Sequence, residues 1–243
     1  MDTQVKENTI RIELINNKDL TVVGTGVVIG TKKKNNTTTL LVATGAHIIT
    51  SDSYETTNPT FPVKVTISSP LQPATEALTF NGEESIGIAT HEDARLLPGK
   101  DFGIMALKLP PGVKPPFQGI GFEHVIGNHN FSEESSYASL LFPTVHDENG
   151  VIKTVVSAEP DLTVSVSSDI WGLISNATGL HEIQNEDILS HGGSGGGLFI
   201  NQADNPDLVG LVVIMTESEH QRAGVAQIPK NWKELADAAY NDL

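Results

Sequence analysis

The chain contains no cysteine among its 243 residues. Disulfides, thiolate nucleophiles and sulfur-based zinc sites are therefore excluded. The absence also fits a bacterial, phage or intracellular source better than a secreted animal one. Basic side chains are scarce: 15 Lys and Arg against 30 Asp and Glu give a formal charge of −15. That balance repels phosphate backbones and argues against a nucleic-acid partner. No apolar run approaches the about 20 residues that span a bilayer, so no membrane partner is expected. The first residues, Met1 to Asn8, carry neither the basic start nor the apolar run of a secretory leader. The expectation is a cytoplasmic chain as written, or an extracellular or periplasmic one if a leader has been removed.

What is present is a series of strand signals. Ile10, Ile12 and Leu14 alternate with Arg11 and Glu13, and Val63, Val65 and Ile67 repeat the pattern. Thr21–Ile29 is β-branched and broken by Gly24 and Gly26. Leu40–Thr44, Ile86 to Ile88 and Phe102–Leu109 follow, each bounded by turn residues. Lys32, Lys33 and Lys34 precede Asn35-Asn36 and read as a solvated hairpin tip. Four prolines within Leu109–Phe117 cannot sit inside a sheet and mark a linker between two halves, 1–117 and 118–243. Further strands are expected at Ile120–Ile126, Ser139–Val145, Val151–Val156, Leu162–Val166, Gly197–Ile200, Leu208–Met215 and Gly224–Ile228. Trp232, Leu235, Ala236, Ala239 and Leu243 share one helical face, so residues 231–242 are expected as a C-terminal helix capped by Asn231 with Glu234. The pattern is that of an all-β sandwich or barrel protein.

The stretch richest in chemistry is Ser190-His191-Gly192-Gly193-Ser194-Gly195-Gly196-Gly197. A serine between glycines can sit on a tight turn with free backbone N–H groups and close substrate approach. A serine nucleophile needs a base. Of eight histidines, His47 has the most telling setting, directly after the apolar run Leu40–Ala43 in a small-residue turn. A histidine base needs an acceptor on its other ring nitrogen. Asp101, at the mouth of the run Phe102–Leu107, fits that need, because a carboxylate beside so much apolar sequence must be paired. His47, Asp101 and Ser194, each at a strand edge, form the expected catalytic set.

These motifs resemble those of the trypsin/chymotrypsin-like serine peptidases over nearly the full length. Ala43-Thr44-Gly45-Ala46-His47 resembles the histidine motif, Asp101-Phe102-Gly103-Ile104-Met105 the Asp-Ile-Ala-Leu-Leu motif, and Gly192–Leu198 the Gly-Asp/Asn-Ser-Gly-Gly-Pro-Leu motif. Gly24-Thr25-Gly26-Val27-Val28-Ile29 and Leu208-Val209-Gly210-Leu211-Val212 are similar to two family strands. The cysteine-free bacterial branches, HtrA-type proteases among them, are the nearest in pattern. The resemblance implies two perpendicular six-stranded β-barrels with the site between them, and a serine endopeptidase working through an acyl-enzyme without cofactor. It implies an oxyanion hole at the turn Gly192, Gly193, Ser194, with the N–H groups of Gly192 and Ser194 as donors. It also implies a primary pocket lined by Ile188, Leu189, Ser190 and His191 with Val212, Val213, Ile214 and Met215. These offer no carboxylate, so small or medium aliphatic residues before the scissile bond are expected. Gly193 stands where the family has Asp or Asn, which argues against activation by a freed N-terminus. Adjacent glycines and Gly197 in place of proline predict a loose turn that substrate or an activating partner would order.

Other readings compete. Gly192–Gly196 also fits the nucleophile elbow of α/β-hydrolases, but there the histidine follows the serine, and only His220 does so here. A catalytically silent or partner-activated binding module on the same fold is the main alternative. His124, His129, His146 and Asp147 match no metal-ligand spacing, so no metal is expected. Sequons at Asn36, Asn130 and Asn176 matter only in a secreted eukaryotic protein.

Overall fold

Alternation along Thr9–Asn16 sorts side chains to two faces: Ile10, Ile12 and Leu14 are buried while Arg11 and Glu13 are half-exposed. This strand opens an antiparallel sheet in the computed structural model, which describes residues 2–50, 61–72, 76–94, 98–146, 152–166, 181–183, 192–200, 206–217 and 220–243. In chain order the first half runs α1 (Thr3–Asn8), β1 (Thr9–Asn16), β2 (Thr21–Lys34), β3 (Thr37–Thr44), α2 (Ala46–Thr50), β4 (Pro62–Ser68), β5 (Leu78–Asn81), β6 (Ile86–Thr90) and β7 (Gly103–Lys108). The second runs β8 (Tyr137–Leu141), β9 (Thr144–His146), β10 (Ile152–Thr154), β11 (Ser157–Leu162), β12 (Val164–Val166), β13 (His181–Ile183), β14 (Gly197–Ile200), β15 (Leu208–Glu217), β16 (His220–Gln227) and α3 (Trp232–Asn241).

One sheet has the order β5-β4-β1-β2-β3-β7-β6 and the other β11-β8-β14-β15-β16-β13-β12; β9 and β10 form a separate ribbon. The first sheet curls until β4 meets β6. Its interior holds Ile12, Leu14, Val42, Ile67 and Leu107. The second encloses Tyr137, Leu141, Leu198, Val209 and Val225. A third cluster lies between the sheets and draws on both, from Val27, Leu41 and Ala106 to Phe142, Leu211 and Trp232. The molecule is thus mostly β, a curled sheet and a second sheet back to back with a short C-terminal helix.

Several elements depart from expectation. Ile120–Ile126 is not a strand: Gly119 and Gly121 have φ of +85° and +96°, and a 3₁₀ turn at Phe122–His124 leaves only a bridge from Val125 to Leu208. Ser139–Val145 is split by Phe142-Pro143 into β8 and β9, and within Val151–Val156 only Ile152–Thr154 is strand, as β10, with Val155 and Val156 linking it to β11. Helices α1 and α2 and strands β5 and β13 carry too few residues to show a period. Asn231 precedes α3 but its side chain caps nothing; its carbonyl instead accepts the N–H groups of Glu234 and Leu235. The hairpin tip is Asn35-Asn36, both at positive φ. Lys32, expected in solvent, bonds the Asp237 carboxylate of α3 and lies 4.8 Å from the Tyr240 ring centre.

Candidate active site

Register brings the first two site residues together. Thr44, the last residue of β3, pairs with Gly103, the first of β7. His47 lies three residues beyond Thr44, in the first turn of α2, and Asp101 two residues before Gly103. Both are therefore delivered to the same end of one strand pair. The Gly45 carbonyl accepts the N–H of Ile48 at 3.1 Å, which starts the helix and turns His47 back toward β7. Asp101 is fully buried, and His47 is 21% exposed at its side chain. The backbone N–H of His47 donates to Asp101 Oδ1 at 2.9 Å, and its ring Nδ1 meets Oδ2 at 2.5 Å. A carboxylate only accepts, so Nδ1 carries the proton and Nε2 of the neutral ring is left as the basic nitrogen. Burial pulls the His47 pKa down; the Asp101 charge and hydrogen bond push it up, and the net position is raised above 6.5.

Ser194 sits on the turn that enters β14 and is 6% exposed. The adjacent glycines do not leave this turn loose. The Gly192 carbonyl accepts the Thr25 hydroxyl at 2.8 Å, the Gly193 carbonyl accepts the Gly196 N–H at 3.2 Å, and the Ser194 carbonyl accepts the Thr25 N–H at 2.8 Å. The Gly195 N–H donates to Val212 of β15, and the Val212 N–H returns to Gly196, both at 2.7 Å. Gly195, at φ +87°, is where the serine and histidine segments touch: a Cβ there would collide with Thr44 Oγ1 and the Thr25 carbonyl and stand 2.9 Å from the Gly45 nitrogen. A Cβ on Gly45 would in turn stand 3.0 Å from the His47 ring and 3.2 Å from Asp101 Oδ2. The serine and histidine segments thus approach through Gly195 and Gly45, with the Thr44 hydroxyl at their contact.

Of the residues anticipated for the primary pocket, Val212 meets the serine turn through its backbone. Val212 is buried within the second sheet and Val213 in the cluster between the sheets. Ile214 and Met215 continue β15, and Ile188, Leu189, Ser190 and His191 lie outside the described residues. His124 pairs with Asp207 at 2.9 Å, and among the described residues no cluster of three or more metal-ligating side chains occurs. Sequence reasoning passed over Thr25 and Thr44. Thr25 is fully buried, and Thr44 Oγ1 donates to its carbonyl at 2.7 Å. The available signal was a hydroxyl residue between two glycines in the middle of an apolar strand.

No family model and no curated protein sequence matches the chain. Solved structures do. The protease Anisep of Arthrobacter nicotinovorans is similar at 13% identity, TM-score 0.63, over 96% of each chain. An inactivated protease paralogue of the scabies mite, S-D1, is similar at 12% identity, TM-score 0.65, over 100% of this chain and 96% of that one. The HtrA-type protease AlgW is similar at 9% identity, TM-score 0.51, over 97% of this chain and 60% of that one. The chain has the trypsin/chymotrypsin-like fold of the serine proteases.

Proposed function

We propose that the chain is a serine endopeptidase in which His47, Asp101 and Ser194 act together. The observation that carries this reading is the doubly hydrogen-bonded His47–Asp101 pair packed against the Ser194 turn through Gly45 and Gly195. In the first step Ser194 Oγ forms a bond to the scissile carbonyl carbon as its proton passes to His47 Nε2. The carbonyl electron pair moves to oxygen, and the N–H groups of Gly192 and Ser194 receive the negative charge, each worth about 3 kcal/mol of barrier. Collapse expels the amine with the proton from His47 and leaves an acyl-enzyme. Water then repeats the sequence, losing its proton to His47 and releasing Ser194. Asp101 keeps the ring oriented and stabilises the imidazolium.

The substrates are peptides or proteins, and the sequence favours aliphatic residues before the cleaved bond, since Ile188, Leu189 and Met215 offer no charge. Cleavage profiling that returned Arg, Lys or Glu at that position would overturn this preference. A silent or partner-activated binding module is the second reading, supported by the inactivated mite paralogues that share the fold. Against a need for an activating partner stands the turn itself, whose carbonyls are already bonded. Fluorophosphonate labelling, read by intact mass with Ser194→Ala as control, separates the two. One adduct on Ser194, absent from the variant, is the expected result; a folded chain that takes no adduct supports the silent module.

A further inference from the structure

Thr25 lies in the middle of β2, far from both ends of the cleft motif in sequence, yet it touches the serine turn twice. Its hydroxyl is used on both sides: it donates to the Gly192 carbonyl at 2.8 Å and accepts the Phe142 N–H at 3.0 Å. Its backbone N–H donates to the Ser194 carbonyl at 2.8 Å. A peptide unit is planar and trans here, so fixing a carbonyl fixes the N–H across the plane. Of the three peptide planes that run from Gly192 to Gly195, Thr25 holds the first and the third. The middle one is held by the Gly196 N–H. Gly192, at φ +89°, is pressed between these bonds and the Phe142–Thr144 segment: a Cβ on it would stand 3.3 Å from the Phe142 carbonyl and the Thr144 nitrogen.

We infer that Thr25 is a positioning residue for this turn: it clasps the Gly192–Gly193 and Ser194–Gly195 peptide planes, the two neighbours of the Gly193–Ser194 plane that carries the Ser194 N–H, and so sets the aim of that donor from both sides. The inference rests on the reading of Ser194 as the nucleophile for its catalytic consequence, though not for its structural one. Thr25 touches no reacting atom. Without the hydroxyl, two buried polar groups, the Gly192 carbonyl and the Phe142 N–H, lose their partner at once, and the turn must shift to recover one.

The test compares Thr25→Val, which keeps the branched shape and loses the hydroxyl, with Thr25→Ser, which keeps the hydroxyl and loses a methyl. Thr25→Ala serves as a second hydroxyl deletion should the valine variant fail to fold. On a peptide reporter the deletion is expected to lower kcat by about 10- to 100-fold, the scale of a small misplacement of catalytic donors, with KM nearly unchanged. Thr25→Ser is expected to restore most of the rate. Amide hydrogen exchange is measured in parallel on the same proteins. The Phe142, Gly195 and Gly196 amides are expected to exchange faster in the deletion variants, with amides of β4 to β6 unaltered. A deletion variant with wild-type kcat, a serine variant as slow as the deletion, or unchanged exchange in the turn overturns the inference. If the wild-type chain takes no label and turns over no substrate, the protease reading fails by itself. The exchange comparison then decides for or against the clasp.

Discussion

His47 is pulled two ways, and the balance sets the pH response of the proposed reaction. Burial opposes its protonation; the Asp101 charge and hydrogen bond favour it and prevail, so the folded-state pKa lies above 6.5. The base must be neutral to accept the serine proton. The acid limb of kcat/KM is therefore expected above pH 6.5, with activity rising as pH increases through it. In Asp101→Asn only the burial effect remains, so the limb is expected to move below 6.5 while kcat falls about 10⁴-fold. A pH–rate profile of both proteins checks this, and a limb that stays in place would remove Asp101 from the role. Linkage runs the opposite way. The His47 contribution to stability is complete below about 6.5 and disappears as pH climbs through the raised value. At this scale much was legible from the chain, because His47, Asp101 and Ser194 each carry their own local motif. Thr25 does not. Its side-chain partners Gly192 and Phe142 stand 167 and 117 positions away, and no local pattern encodes such a bond.

Helix α3 shows what a period can and cannot reveal. Its apolar face was readable from the spacing of Trp232, Ala236 and Ala239, all of them buried. Its docking ground was not, because that depends on one residue without a side chain. Gly87 of β6 lies under the Ala239 carbonyl so closely that a Cβ would fall well inside contact distance. The same pairing lets Asp242 accept the Ile88 N–H at 3.2 Å. Gly87→Ala is expected to lift the helix and cost about 1–3 kcal/mol. For a chain of this length each kcal/mol lowers Tm by about 2–4 °C, which a thermal melt resolves. An unchanged Tm would mean that the helix is held chiefly through Trp232 and the Lys32–Asp237 pair. The segment Ile120–Ile126 misled for a related reason: Ile120, Phe122 and the residues after them alternate like a strand, but Gly119 and Gly121 take positive φ and turn the chain. Phe122 then packs beside Trp232, 6.0 Å between ring centres.

Across the whole molecule the two ends of the chain are exchanged between the halves. Helix α3, the end of the second half, packs on β6, β7 and β3 of the first. Val5 of α1 enters the cluster between the sheets, and Asn8 Oδ1 accepts the Gly119 N–H at 2.8 Å just beyond the proline-rich stretch. We propose 1–117 and 118–243 as the two domains, with this consequence for their independence. Expressed alone, each half is expected to be insoluble or unfolded, since each would expose its share of the common core and lose a brace. Co-expressed, the halves are expected to assemble and co-elute when the chain is divided within the exposed stretch 110–114, just before the buried Phe117. Two separately soluble, folded halves would contradict this. The same bracing bears on how the cleft could move. Thr25 belongs to β2 of the first sheet, and three of its bonds run to the serine turn and to Phe142, next to β8, of the second. Rotating one half against the other would shear all three together with the α3 contacts. The frame is that of a vice without a screw: the bonds that join its jaws fix their separation, so in the proposed reaction a polypeptide is expected to enter without a hinge motion between the halves.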